Sequence, residues 1–539
     1  MATLIALGIV AAGFINIRSI WCSTFSQCSP GSTTATQAPQ KLNRAKETAI
    51  AQRTNVQANI QDPKELISSG EKAIAQRTKD LAEPYAGWMR EGMGFYSVGE
   101  YTKAFNAFDT LLKKAKAEED TRVNLKDNTN AYKEARDALT NPEIEIARNN
   151  AAAWQRHVQN RSPIYTIAVA APVNYQEGIH ILFGVAQAQR KAFDDQNFNL
   201  VVVIADDRNI PAQAKANAEE LVKRKDILAV IGNYTSPNTC AALPIYDQNK
   251  LAIISPTSTV VNLRTNSDGT TNKVFFRTTF TTKVEAQTLV NYLVNSTKDK
   301  KTKPGVAIFY NANEDYSKDK FAQFKEALKD KGTIIKEFDL SDPNQNFIAS
   351  DSLEEVKDAD AIVVIPDGQT DNYAPFGRAI EVIKANKGDK PVLGANSLYL
   401  ENVLSKVSGT VGNKALVEKL FIAVDWHPLQ CGAMEYAKEA NDRWLGGVNR
   451  RTALSDDAVQ VLLKTFKPNV TRSEVLQALS NGIKADSDAI KGKTISFDRN
   501  GDRNESKAFI VTVERDADKL KFVPLEGDRC SESKLAQQS

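Results

Sequence analysis

Histidine and cysteine are scarce in this chain of 539 residues, which carries three of the first and five of the second. His157, His180 and His427 are far apart, and no H-E-x-x-H, G-x-S-x-G or phosphate-loop glycine pattern occurs. Hydrolytic, metalloprotease and nucleotide-driven chemistry therefore lack their usual residues; no catalytic residue, metal or cofactor is expected. Cys22, Cys28, Cys240, Cys431 and Cys530 are too few and too scattered for a disulfide framework, and no C-x-x-C is present. A Cys431–Cys530 pair stays open, while Cys240 reads as a small buried residue on a helix. An excess of one charge is missing too: the net charge is +3, which points to no polyanionic partner. The lysine-rich stretches at 113–116 and 298–303 lack stacking aromatics, so nucleic acid is not expected. The segment 497–503, FDRNGDR, mimics the start of a calcium loop but lacks the acidic residue at the twelfth position; it reads as a turn.

What is present falls into blocks. An apolar stretch at 2–17 precedes Arg18, short of the roughly 20 residues a spanning helix needs and without a positive n-region. It is expected to act as a membrane anchor or export segment (1–25). A polar Ser/Thr/Gln/Ala linker follows (26–62). Helical periodicity then runs from 63 to 158, where Trp88, Gly92, Gly99, Tyr101, Ala104 and Phe108 fall at the spacing of a tetratricopeptide hairpin. A generic helical hairpin packed on the next domain is the competing reading. The stretch 118–141 reads as a polar insertion before a helix at 144–154.

From residue 164 short apolar strands alternate with amphipathic helices. Strands are expected at 164–171, 198–205, 227–231, 251–255 and 275–280, then at 305–310, 334–338, 361–366, 391–394 and 420–424. Three helices within 432–481 and two late strands (494–497, 508–514) complete the pattern. Repeated β-α-β order means an α/β fold of doubly wound parallel sheets, here two lobes with a cleft between them. The most informative stretch is 230–259. Its first strand ends in Gly232 and the hydroxyl loop Thr235-Ser236-Pro237, its second in Thr257-Ser258-Thr259. Two parallel strands bring both loops to one sheet edge, where open α/β sheets bind ligands. Ser236 fits an N-cap and Pro237 the first helical position. Such a loop suits an anion such as a carboxylate.

The motifs TIAVAAPVN, FGVAQAQRKAFDDQN, DDRNIPAQAKANAEELV, GNYTSPNTCAALPIY, LAIISPTST, VAIFYNANEDYSKD and ISFDRNGD occur in this order between 164 and 523. In order and spacing this part resembles the type I periplasmic solute-binding proteins. The nearest branch looks like the leucine/isoleucine/valine- and amide-binding receptors of ABC transporters. The resemblance implies ligand contacts at Thr235, Ser236, Thr257 and Thr259 on the first lobe and Tyr316 on the second. It implies an acidic side chain for the ligand ammonium where this chain has Asn396. Either Asp367 or Asp425 then supplies the charge, or the ligand is not an ordinary α-amino acid. Lobe 1 is expected at about 164–279 and 427–490, lobe 2 at about 280–426 and 491–525, with a tail at 526–539. Hinges are expected near 277–280, 424–428 and 496–498. The function implied is an extracytoplasmic receptor that closes on a small amino-acid-like, amide or carboxylate ligand for an ABC permease. A membrane-tethered sensor or scaffold that signals without transport is the alternative.

Overall fold

A computed structural model describes residues 60–530, apart from 126–128, 266–269, 300–301, 343–346, 369–373, 412–415 and 517–518. The expected anchor, nearly all of the linker and most of the tail lie outside the described residues. Among those described, no helix is long and apolar enough to cross a membrane.

Two sheets organise the chain. The first contains β1 (Ile67–Ser68), β2 (Ile164–Ala171), β3 (Asn199–Asp206), β4 (Ile227–Gly232), β5 (Ala252–Ser255) and β6 (Phe275–Arg277), in the order β1-β3-β2-β4-β5-β6. The second contains β7 (Gly305–Tyr310), β8 (Thr333–Asp339), β9 (Ala361–Ile365), β10 (Val392–Gly394) and β11 (Leu420–Val424). A small pair, β12 (Ala485–Asp486) and β13 (Thr494–Ile495), stands apart from both sheets. The last two strands, β14 (Phe509–Asp516) and β15 (Lys519–Pro524), return to the second sheet, whose order is β15-β14-β11-β10-β9-β7-β8. Strands β2 to β6 pair in parallel, as do β7 to β11, whereas β1, β14 and β15 pair antiparallel. Nearly every residue of β2, β3, β4, β9 and β11 is buried, the mark of strands covered on both faces. Strand β15 was not expected: the late strands continue one hairpin further than the apolar pattern shows.

The helices used below are α1 (Tyr85–Ser97), α2 (Tyr101–Leu125), α3 (Asn130–Leu139), α4 (Pro142–Asn160), α5 (Gln176–Gln196) and α6 (Pro211–Leu221). They continue with α7 (Ser236–Gln248), α8 (Thr282–Ser296), α9 (Asp315–Leu328), α10 (Ala374–Asn386) and α11 (Glu401–Val411). The last three are α12 (Met434–Trp444), α13 (Arg450–Leu463) and α14 (Arg472–Ser480). Helices α12 to α14 pack on the first sheet, with Trp444, Ala453, Val459 and Val475 in one apolar cluster with Ile167, Val202 and Ile231. The chain thus crosses between the lobes after β6, after β11 and before β14.

From residue 76 to 160 the described residues are mainly helical, and α2 and α3 occupy most of the stretch expected to be a polar insertion. The small core of this segment is built on Phe108, Leu111 and Ala104. Gly92 lets α1 and α2 approach, since a Cβ there would run into the Phe108 ring. The segment is also welded to the first lobe. Ile146 of α4 shares the cluster of Ile167 and Val202, and Asn150 pairs with β3, on the side where the two-residue β1 leaves most of that strand uncovered, through both polar atoms. Its Nδ2 donates to the Val202 carbonyl at 2.8 Å and its Oδ1 accepts from the Val202 N–H at 2.8 Å. Together with β1, this side-chain amide covers a sheet edge that would otherwise offer unpaired groups to another chain.

Cys431 and Cys530 form a disulfide across a sequence separation of 99. Cys240 is half-buried on α7 and is disulfide-bonded, which corrects the expectation of an inert buried thiol.

Candidate functional site

The wall on the first lobe begins where β4 ends. Gly232 has φ +132°, and a Cβ there would collide with the Ala170 carbonyl of β2, so conformation and contact both demand glycine. The chain runs through Asn233, Tyr234 and Thr235 into α7, while β5 delivers Ser255 to Thr259 alongside. The two loops are knitted together. The Asn233 carbonyl accepts from Ser255 Oγ at 3.0 Å and from Ser258 Oγ at 3.3 Å, and the Tyr234 carbonyl accepts from Thr257 Oγ1 at 2.7 Å. Thr239 and Ser258 share a hydroxyl–hydroxyl bond of 2.6 Å. Both hydroxyl loops therefore meet at one sheet edge, but Thr257 spends its proton on a carbonyl. Thr259 is 1 % exposed.

The capping expectation needs correction. Thr235, not Ser236, is the N-cap of α7, and it makes no side-chain cap bond. Its hydroxyl is drawn instead to Asn209 Oδ1 at 2.9 Å, and Ser236 Oγ accepts from the Val260 N–H at 3.4 Å. Arg277, read from sequence only as a hinge position, holds the second loop. Its Nη1 donates to the Ser258 and Val260 carbonyls at 2.9 and 2.8 Å, and its Nε pairs with Asp502 at 2.7 Å. That pair occupies an acidic group of the calcium-like segment with a turn contact.

The wall on the second lobe is a chain of buried polar groups. Tyr316, at the start of α9, donates its hydroxyl to Asn396 Oδ1 at 3.0 Å. The Asn396 N–H donates to Glu285 Oε1 at 2.7 Å, and Glu285 pairs with the fully buried Lys320. Burial raises the Glu285 carboxyl against the pull of Lys320, and burial lowers the Lys320 ammonium against the pull of Glu285. Asn396 was expected to accept from an ammonium. Its oxygen is already taken by Tyr316, and what it has left is Nδ2, buried without a partner among the described residues. That is a donor, suited to a carbonyl or carboxylate oxygen.

Asp367 is fully buried just after β9 and accepts from Asn311 Nδ2 at 2.6 Å. Glu314 caps α9 by accepting from the Ser317 N–H at 2.8 Å. Burial, with the Asp367 charge nearby, pushes the Glu314 carboxyl up to about 8. Sequence reasoning missed Glu314; its signal was a glutamate three residues ahead of Ser317 at a strand-to-helix turn. Asp425 drops out as the free counter-charge. Arg450 grips it through Nε and Nη2 at 2.6 and 2.7 Å, and Thr279 donates to it at 2.7 Å. Burial alone would raise this carboxyl, yet Arg450 holds it below the usual carboxylate range.

The two walls touch. A Cβ at Gly368 would lie 3.0 Å from Thr235 Cγ2, so the turn carrying Asp367 rests against the hydroxyl loop of the other lobe. Thr235, Ser236, Thr257 and Thr259 are thus gathered on one side, and Tyr316, Asn396 and Asp367 on the other.

Two doubly wound lobes, three crossings and a buried polar seam define the class of two-lobed solute-binding folds. The chain belongs to the periplasmic binding protein family, whose profile matches residues 184–519. Several solved structures share the fold. The branched-chain amino acid transporter substrate binding protein LivJ from Streptococcus pneumoniae, in complex with isoleucine, is 18% identical with a TM-score of 0.54, over 67% of this chain and 100% of that one. An ABC transporter substrate-binding protein from Desulfitobacterium hafniense, in complex with Leu, is 19% identical with a TM-score of 0.54, over 67% and 100%. A solute binding protein of an ABC transporter from Rhodopseudomonas palustris, in complex with 3,4-dihydroxybenzoic acid, is 20% identical with a TM-score of 0.55, over 67% and 96%. No curated protein matched the chain.

Proposed function

We propose that this protein is an extracytoplasmic solute receptor, without enzymatic activity, that binds a small amino-acid-like, amide or carboxylate ligand between its lobes. It closes on the ligand for delivery to an ABC permease. The observation that carries this reading is the meeting of the Asp367–Gly368 turn with Thr235 across the lobes, beside an unspent buried donor, Asn396 Nδ2. In this reading Thr235, Ser236, Thr257 and Thr259 receive the ligand first, through hydroxyls and the N-terminus of α7. Tyr316 and Asn396 then close over it, and Asp367 supplies the counter-charge for any ammonium group. Closure is favoured because only the closed state lets ligand touch both walls.

The lobes would comprise about 164–279 with 427–490, and 280–426 with 491–525, moving on the three crossings. The segment 63–158, read as a tetratricopeptide-like hairpin with its following helices, is seated firmly on lobe 1 through Ile146 and Asn150. That seat favours a second reading, in which the protein is a membrane-tethered sensor or scaffold that passes lobe movement to a partner as a signal, without transport.

The test is a thermal-shift screen of the full chain against amino acids, short amides, urea and small carboxylates. A ligand that binds the native state raises its melting temperature by mass action. Ser236→Ala with Thr259→Ala should abolish that rise with the fold intact. A rise of the same size in the double variant removes this seam as the binding site.

A further inference from the structure

Helix α13 is buried along its whole length, from Arg450 to Leu463. Yet it carries Arg450, Arg451, Asp456 and Asp457, charges that a core helix does not hold without partners. Positions 450, 454 and 457 share one face of it, at the i, i+4, i+7 spacing. Each takes a different crossing between the lobes. Arg450 grips Asp425, the residue after β11, through Nε and Nη2 at 2.6 and 2.7 Å. The Leu454 carbonyl accepts from Thr278 Oγ1, just after β6, at 2.7 Å. Asp457 accepts from Arg503 Nη1, on the way to β14, at 2.7 Å.

The crossings are also bonded to one another. Thr279 donates to Asp425 at 2.7 Å, and Arg503 Nη1 donates to the Thr278 carbonyl at 3.2 Å. The Arg277 N–H donates to the Gly501 carbonyl at 2.9 Å, beside the Arg277–Asp502 ion pair at 2.7 Å. Thr278 and Thr279 are 1 % and 0 % exposed, so water does not replace these bonds when a strand bends. A crossing that flexed alone would leave buried polar and charged groups unpaired, which is costly. At the other end of the chain of contacts, Asn449 and Arg451 line the 1360 Å³ cleft between the lobes. The helix therefore starts in the cleft and rests one face on every crossing.

We propose, on the reading of the lobes as a closing pair, that α13 is the spine of the hinge. It makes the three crossings open as one unit and carries a shift of the cleft wall to all of them at once. Thr279, Asp457 and Arg503 are its positioning residues, none of which needs to touch ligand.

Native-state hydrogen exchange of the full chain, with no ligand added, tests this coupling. In the wild type, peptides covering 275–280, 421–427 and 498–505 show one opening free energy and one urea dependence. Asp457→Asn directly loosens only the last crossing. It raises exchange in all three peptides by about 10-fold, the usual effect of weakening a bond to a charged group, while β9 exchanges as before. Thr279→Val, placed in the first crossing, does the same, and decides the matter if Asp457→Asn does not fold. The proposal is overturned by separate opening energies in the wild type, or by a rise confined to the peptide nearest the substitution. Because no ligand enters the measurement, a failed thermal-shift screen and a failed coupling are separable.

Discussion

The two walls of the seam are built from different chemistry. On the first lobe, neutral hydroxyls and carbonyls satisfy one another: Ser255, Thr257 and Ser258 donate to the carbonyls of Asn233 and Tyr234. On the second lobe and at the crossing below it, the groups are ionisable: the buried pairs Glu285 with Lys320 and Asp425 with Arg450, and the half-buried Glu314 near Asp367. Neutral hydrogen bonds each contribute modestly and do not change with pH. Buried ion pairs are costly to break and titrate. The hydroxyl bonds of the first wall are therefore indifferent to pH, with Arg277 and Asp207 bracing them from behind, and the second wall is the one whose own lining is mainly ionisable.

Three variants would break or sharpen this contrast. Arg450→Met should act most strongly, because it leaves Asp425 buried without its counter-charge. A loss of about 3–5 kcal/mol in denaturant unfolding is expected, and an unchanged midpoint would show that the pair contributes nothing to this wall. The next effect is one of pH. Glu314 binds its proton more tightly in the folded chain, at about 8, than its ordinary value of 4.5. The unfolded state therefore gives up that proton first, and stability should fall as pH rises from 4.5 to about 8, then level off. Glu314→Gln should remove that part of the slope; a slope identical to wild type would contradict the assignment. Asp206, raised to about 6 mainly by burial, adds to the same trend at its lower end. Smallest is Thr257→Val on the first wall. It removes one neutral bond, for a loss of about 1 kcal/mol that is the same at pH 5 and pH 8 in urea unfolding. A loss that varied with pH would mean that this wall, too, is coupled to a titrating group.

Much of the architecture was legible because long apolar runs impose their own boundaries. Strands β2, β7 and β11 begin and end where the runs at 164–171, 305–310 and 420–424 do. The meeting of the two hydroxyl loops was legible too, since parallel neighbours carry their C-terminal loops to one edge. Other features left no such mark. Strand β1 is two residues long, below any periodic signal. Strand β15 alternates lysine with apolar residues beside a hairpin turn. Asn150 sits in the middle of α4, where sequence shows only a polar residue and the fold makes it a strand partner. Among the site groups, Asn396 was found by position, but which of its atoms is free depends on Tyr316, 80 residues away. Glu314 owes its chemistry to burial and to Asp367, a neighbour distant in sequence, so a single chain read in order cannot reveal it.

The pairing of Asn150 with Val202 has a consequence for the order of synthesis. Ribosomes deliver the chain from its N-terminus, and domains fold largely in that order. The groups that cover the β3 edge, Ile67–Ser68 and Asn150, therefore leave the ribosome before β3 itself at 199–206. When that strand emerges its edge has a waiting partner, while β4 to β6 are still to come. The nascent sheet then grows in one direction only, and the lobe assembles without a stage at which both of its flanks are open to a neighbouring chain.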